Sequence, residues 1–233
     1  MAGVSIRQWI RWLPDRPSEP TSTLVLTSPN RRFVDIRVLK NAADDSGEST
    51  EAPPAPQLDW AFAGTSSSGI DTESVKWSKW VHMVDSRTKN PETVVDEGTI
   101  VPQDDEQTLE SGRMVNPSTG KLTDYEELWS DEEIKGIPDS SRLTARCVVY
   151  ELNGKGREEG GMVVFLGRYC QGIVRIGDRV AAERWKWTGD WKQTFSFGDL
   201  WMPCTEAITA EPSIGTTVER EGRIWTVVEA CDI

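Results

Sequence analysis

Side chains able to donate, accept or stack gather in the segment W-S-K-W-V-H-M-V-D-S-R, which contains His82, the only histidine in the chain. His82 is the one side chain whose ordinary pKa lies near neutrality, so proton transfer or donation to a polarised carbonyl starts there. A lone histidine in a strand is also commonly a structural or surface group. Strand alternation puts Trp80 and His82 on one face with Lys76 and Ser78, and Trp77 on the other with Lys79, Val81, Met83 and Asp85. If the Trp80 face points inward, indole and imidazole meet in one cavity. Asp85 and Arg87 follow where a barrel mouth would lie, either as a mutual salt bridge or as orienters of a ligand.

A second group lies downstream. Glu110 and Arg113 flank Gly112 in E-S-G-R-M, where glycine permits a bulge or close backbone approach. Tyr125 adds a phenol donor and Trp129 an aromatic wall, and Trp60 and Phe62 add further aromatic surface. His82, Arg113 and Tyr125 are thus the candidate catalytic donors. Trp60, Phe62, Trp77, Trp80, Asp85, Arg87, Glu110 and Trp129 are the candidate substrate contacts, and core packing is the plainer alternative for each. Trp185, Trp187, Trp191 and Trp201, with Arg168 and Gln171, read first as structural.

Other chemistries lack their residues. Gly154-Lys155-Gly156 falls short of a phosphate-binding loop, no G-x-S-x-G elbow exists, and one histidine leaves a hydrolytic triad a single choice of base. Glu126 and Glu127 point to opposite faces of a strand and make poor acid-base partners. Cys147, Cys170, Cys204 and Cys231 are widely spaced without a C-x-x-C pair, so we expect no metal site and four reduced, mostly buried thiols. A formal charge of −12 and a pI near 4.7 exclude a nucleic-acid partner. No apolar run is long enough to span a membrane, and charges interrupt the N-terminal M-A-G-V-S-I-R-Q-W-I-R-W, which points to a soluble, cytoplasmic protein.

The elements that must position these residues are strands. Eleven tryptophans against three tyrosines and five phenylalanines suit barrel cores and aromatic pockets. Thr23–Ser28 and Phe33–Leu39 form a hairpin around Pro29-Asn30 with Val34, Ile36 and Val38 on one apolar face. Residues 41–57, rich in Ala, Asp, Ser, Glu and Pro, read as an exposed mobile loop. Strands follow at 60–63, 76–84, 94–101, 108–115 and 121–128. Beyond an acidic bridge at 130–141 come strands at 143–152, 162–168, 172–176, 180–187, 191–197, 216–220 and 223–230, the last two turning at Glu221-Gly222. Short helical turns are expected only at 125–129 and 130–135. Many short strands imply a sandwich or barrel, here two barrel-like units at 1–135 and 136–233.

D-W-A-F-A-G-T at Asp59–Thr65, Y-E-E-L-W at Tyr125–Trp129, G-R-Y-C-Q-G at Gly167–Gly172 and the closing R-I-W-T-V-V-E resemble the fungal Hri family, named after a yeast protein that interacts with a casein-kinase-like kinase. The resemblance implies an all-β fold of two calycin- or lipocalin-like antiparallel barrels in tandem with little helix. A biosynthetic branch of that family includes fungal hetero-Diels-Alderases, cofactor-free and metal-free pericyclases of meroterpenoid secondary metabolism. They join a tropolone ortho-quinone methide to a humulene-type sesquiterpene. The resemblance therefore implies apolar and aromatic small-molecule substrates, and assigns no residue. The alternative is a non-catalytic interaction or small-molecule-binding barrel with a kinase-type protein partner. Whether the chain forms a homodimer is left open.

Overall fold

The structure, a computed structural model, describes residues 2–40, 56–104, 106–138, 144–152, 154 and 158–233. The expected mobile loop thus lies, at 41–55, outside the described residues. The fold is all-β in two units. The first is a closed antiparallel barrel of β1 (Gly3–Trp12), β2 (Thr21–Thr27), β3 (Arg32–Leu39), β4 (Leu58–Ile70), β5 (Lys76–Asp85), β6 (Asp96–Pro102), β7 (Gln107–Asn116) and β8 (Lys121–Glu132). Each strand pairs with the next, and β1 returns to β8 from Val4 opposite Glu132 to Trp12 opposite Tyr125.

Two local expectations are corrected here. β1 went unread because Arg7 and Arg11 break its apolar pattern; yet Arg7 points into the barrel, only 5% exposed. The turns expected at 125–129 and 130–135 are strand as far as Glu132, because β8 is paired along its length to both β7 and β1. Ladder partners on two sides outweigh local propensity.

The second unit is a seven-stranded antiparallel sheet ordered β13-β12-β11-β10-β9-β15-β14. Its strands are β9 (Arg146–Leu152), β10 (Glu159–Leu166), β11 (Tyr169–Ile176), β12 (Arg179–Trp187), β13 (Trp191–Phe197), β14 (Thr217–Arg220) and β15 (Arg223–Asp232). α1 (Cys204–Thr209) is the one α-helix among the described residues.

The apolar face of the β2–β3 hairpin looks out of the barrel. Leu24, Leu26, Val34 and Ile36 pack against Val149, Val164, Leu166 and Ile173 of the second sheet. Alternation then commits Val25, Phe33, Asp35 and Arg37 to the barrel interior. The far face of the second sheet covers another core, in which Val148, Tyr150, Phe165 and Trp225 meet Met202 and Cys204 at the start of α1. Buried amides and guanidinium groups stitch the two units. Gln171, fully buried, donates from Nε2 to the carbonyls of Leu24 (2.9 Å) and Val34 (3.0 Å). Arg184 donates to Gln171 Oε1 (2.7 Å) and to the Ile36 carbonyl (2.6 Å). All four cysteines are free, three of them buried.

Candidate functional site

A bulge decides which side chains enter the barrel. Ala63 faces Val84 and Gly64 faces His82, so Met83 is an extra residue in β5. A Cβ at position 64 would collide with the Val81 carbonyl, which is why glycine stands there. The extra residue reverses alternation beyond it. Asp85, expected on the Trp77 face, instead joins His82, while Val84 turns toward the second sheet.

His82 is 2% exposed and held on both ring nitrogens. Nδ1 lies 2.9 Å from Asp85 Oδ2, Nε2 lies 3.0 Å from Asp96 Oδ2, and the ring stacks on Phe62 at 4.3 Å and 12°. Burial alone would lower its pKa, but the hydrogen bonds and charges of Asp85 and Asp96 outweigh that and raise it. His82 has carboxyl oxygens standing against both ring nitrogens, the arrangement that suits a doubly donating imidazolium. It is therefore not the free donor to a ligand expected from sequence; it positions Asp96.

Asp85 is spent likewise. Its Oδ1 accepts from Trp60 Nε1 (3.0 Å) and from the Arg87 backbone N–H (2.7 Å), while the Arg87 guanidinium pairs with Asp59 (3.0 Å) and stacks on Trp60 at 4.5 Å. The expected Asp85–Arg87 side-chain bridge is replaced by these contacts.

From there a chain of alternating charge crosses the barrel. Arg37 donates to Asp35 Oδ2 (2.9 and 3.1 Å) and to Glu127 Oε1 (3.3 Å); Arg7 also donates to Glu127 Oε1, to Thr21 (2.8 Å) and to Glu19 (2.9 Å). Burial raises the Asp35 pKa, only partly offset by Arg37. Burial pushes the Glu110 pKa well above its ordinary value, reinforced by Glu127 and Asp96. Tyr125 donates to Glu110 Oε1 (2.8 Å). The tyrosine fits only because Gly112 is bare, since a Cβ there would lie 2.5 Å from the phenol oxygen. Sequence reading passed over Arg7, Asp35, Arg37 and Asp96. The available signal was Asp35 and Arg37 alternating with Val34, Ile36 and Val38, a charged face that turns out to be interior.

This charged layer divides the barrel into two chambers. The inner one, about 220 Å³, opens where β1 and β3 begin, and is lined by Phe62, Trp80, Glu110, Tyr125 and Trp129 of the expected residues, with Asp35, Asp96 and Glu127. The outer one, about 800 Å³, lies at the opposite mouth, lined by Trp60, Arg87 and Arg113 of the expected residues, with Trp12, Ile10, Val94, Met114 and Leu122. Trp77 joins neither; it sits on the outer barrel face, 37% exposed, over Gly69. Arg113 pairs at the surface with Asp124 at 3.3 Å and borders an outer-face pocket together with Tyr125. His82, buried in the charged layer, stands apart from it.

Among the described residues no group of three or more His, Cys, Asp or Glu is placed to hold a metal ion, and no helix is long and apolar enough to cross a membrane. A family model described as Protein HRI1 matches residues 3–229. A solved structure of an uncharacterized protein from Saccharomyces cerevisiae superposes with a TM-score of 0.71 at 19% identity, covering 99% of each chain, a likeness of fold. No curated protein matches the chain.

Proposed function

The chain belongs to the Protein HRI1 family, and on that premise we propose that its N-terminal barrel binds small organic molecules in the outer chamber and there acts as a cofactor-free hetero-Diels-Alderase, joining a tropolone ortho-quinone methide to a humulene-type sesquiterpene in the cytoplasm. The observation that carries the reading is the chamber itself. Its volume of about 800 Å³ falls within the ~300–1,000 Å³ usual for ligand pockets. Aromatic and aliphatic side chains form its walls and guanidinium groups ring it.

The reaction asks for few groups. One carbon–carbon and one carbon–oxygen bond form, no atom leaves, and no external proton is consumed. Confinement of both reactants supplies up to roughly 7–11 kcal/mol of the barrier in favourable cases. A donor to the quinone methide oxygen, where charge grows, adds on the order of 3 kcal/mol. Arg113 suits that role. Its partnership with Asp124 joins two side chains more than 60% exposed, and such pairs contribute only ~0–1 kcal/mol, so the guanidinium is available to a ligand oxygen. Arg87 is fixed beside it by stacking on Trp60.

A passive carrier of an apolar metabolite is the second reading, favoured by the internal engagement of His82 and Tyr125. Incubation with a benzopyranyl tropolone precursor and humulene, followed by chiral product analysis, separates the two. An enantioenriched dihydropyran adduct that falls at least tenfold in Arg113→Ala supports catalysis. Binding without adduct above background supports the carrier.

A further inference from the structure

The inner chamber is a second site with the opposite chemistry. Asp35 is 3% exposed and lines it; Arg37 takes its Oδ2, and its Oδ1 has no hydrogen-bond partner. Trp129 lines the same space with its buried Nε1 also without a partner. Two residues of one chamber wall thus each carry a buried polar atom without a partner, groups whose bonding a ligand could complete. Phe33, Phe62 and Trp80 add aromatic side chains to the wall, groups that attract cations.

The composition of the wall sets the sign of that ligand. Five carboxyls line the chamber: Asp35, Asp96, Glu110, Glu127 and Asp131. Among the described residues Arg37 is the one cation of the lining, and Arg7 and His82 reach Glu127 and Asp96 from behind while also holding Glu19 and Asp85. Acids outnumber cations around the chamber.

We propose that the inner chamber binds a small organic monocation, a primary amine carrying a hydrogen-bond acceptor at its other end, with the ammonium on Asp35 and the acceptor on the Trp129 indole N–H. The volume, about 220 Å³, equals that of about seven waters at ~30 Å³ each, which limits the ligand to a single ring with a short chain. Two carboxyls of the lining, Asp35 and Glu110, are held above their usual pKa by burial. Glu110 is faced by Tyr125 and Glu127 of β8, Asp96 of β6 and Arg37 of β3, and Asp35 by Arg37, Arg7 and Glu127. An arriving ammonium favours ionisation of these acids, so binding releases protons and tightens as pH rises above the ordinary carboxyl range.

The test is calorimetric titration with tyramine and its uncharged counterpart 4-ethylphenol, in buffers of differing ionisation enthalpy. Tyramine is expected to bind at least tenfold more tightly than 4-ethylphenol and to release protons. Asp35→Asn should weaken tyramine roughly ten- to a hundredfold, as for a lost bond to a charged group, and Trp129→Phe severalfold with the ring retained. Arg113→Ala, in the other chamber, should leave tyramine binding unchanged whatever it does to adduct formation. Equal binding of both probes, no binding of tyramine, or an unaltered affinity in a folded Trp129→Phe protein overturns the proposal.

Discussion

Replacing His82 by glutamine removes a buried cation from between Asp85 and Asp96, at 2.9 and 3.0 Å, and leaves two carboxylates facing one neutral amide. Breaking a buried pair costs about 3–5 kcal/mol. At about 2–4 °C per kcal/mol for a chain of this size, the melting temperature should fall by roughly 6–20 °C. The pH dependence is more specific. His82 has its folded pKa raised above an unfolded value near 6.5, so its stabilisation is complete below about pH 6.5 and is lost as pH climbs through the folded value. Within that window the wild type should lose up to about 1.4 kcal/mol per pH unit more than His82→Gln, whose remaining slope reports Asp35 and Glu110. Urea denaturation at half-unit steps from pH 5.5 to 9 measures the difference. Because the chain has one histidine, long-range proton–nitrogen spectra yield a single imidazole, and both nitrogens should carry protons at pH 7. A neutral tautomer at pH 7, or parallel stability slopes in the two proteins, refutes the doubly bridged imidazolium.

Gly112→Ala places a methyl group 2.5 Å from the Tyr125 oxygen and should destabilise by about 1–3 kcal/mol through overpacking, readable by urea denaturation and relieved in part by Tyr125→Phe. Trp225→Ala, emptying a site 1% exposed in the second unit, should cost about 3–5 kcal/mol while sparing tyramine affinity in protein that remains folded. Burial raises the thiol pKa values of Cys147, Cys204 and Cys231, so a thiol reagent at pH 8 should modify the native protein slowly and all four cysteines only on denaturation.

The strands of the second half and the β2–β3 hairpin were legible because period-two patterning and turn chemistry agree there. β1 was hidden for the reason that makes it interesting: Arg7 occupies an interior position opposite Glu127, and a charge in a buried face erases the apolar signal. Phe62, Trp80, Glu110, Tyr125 and Trp129 line one chamber; strand parity was read only along β5, and the others were grouped by lying in the first half of the chain. Asp85 was assigned to the wrong face since the Met83 bulge depends on how β4 pairs, which no local pattern in β5 records. Arg113 and His82 stand apart because Arg113 takes the outward parity of β7, opposite to Glu110 and Met114, and pairs with Asp124 at the surface.

The outward-facing apolar stripe of the β2–β3 hairpin sets an order of events during synthesis. Leu24, Leu26, Val34 and Ile36 find cover only in strands made much later; the Ile36 carbonyl and its Arg184 donor are 148 positions apart. At about 5–20 residues per second, that interval lasts roughly 7–30 s. Throughout it the emerging barrel shows an apolar flank to solvent, and even ring closure waits for β8. The finished molecule gains a largely polar lumen, while its nascent form carries an apolar flank that stays prone to association until the second sheet covers it.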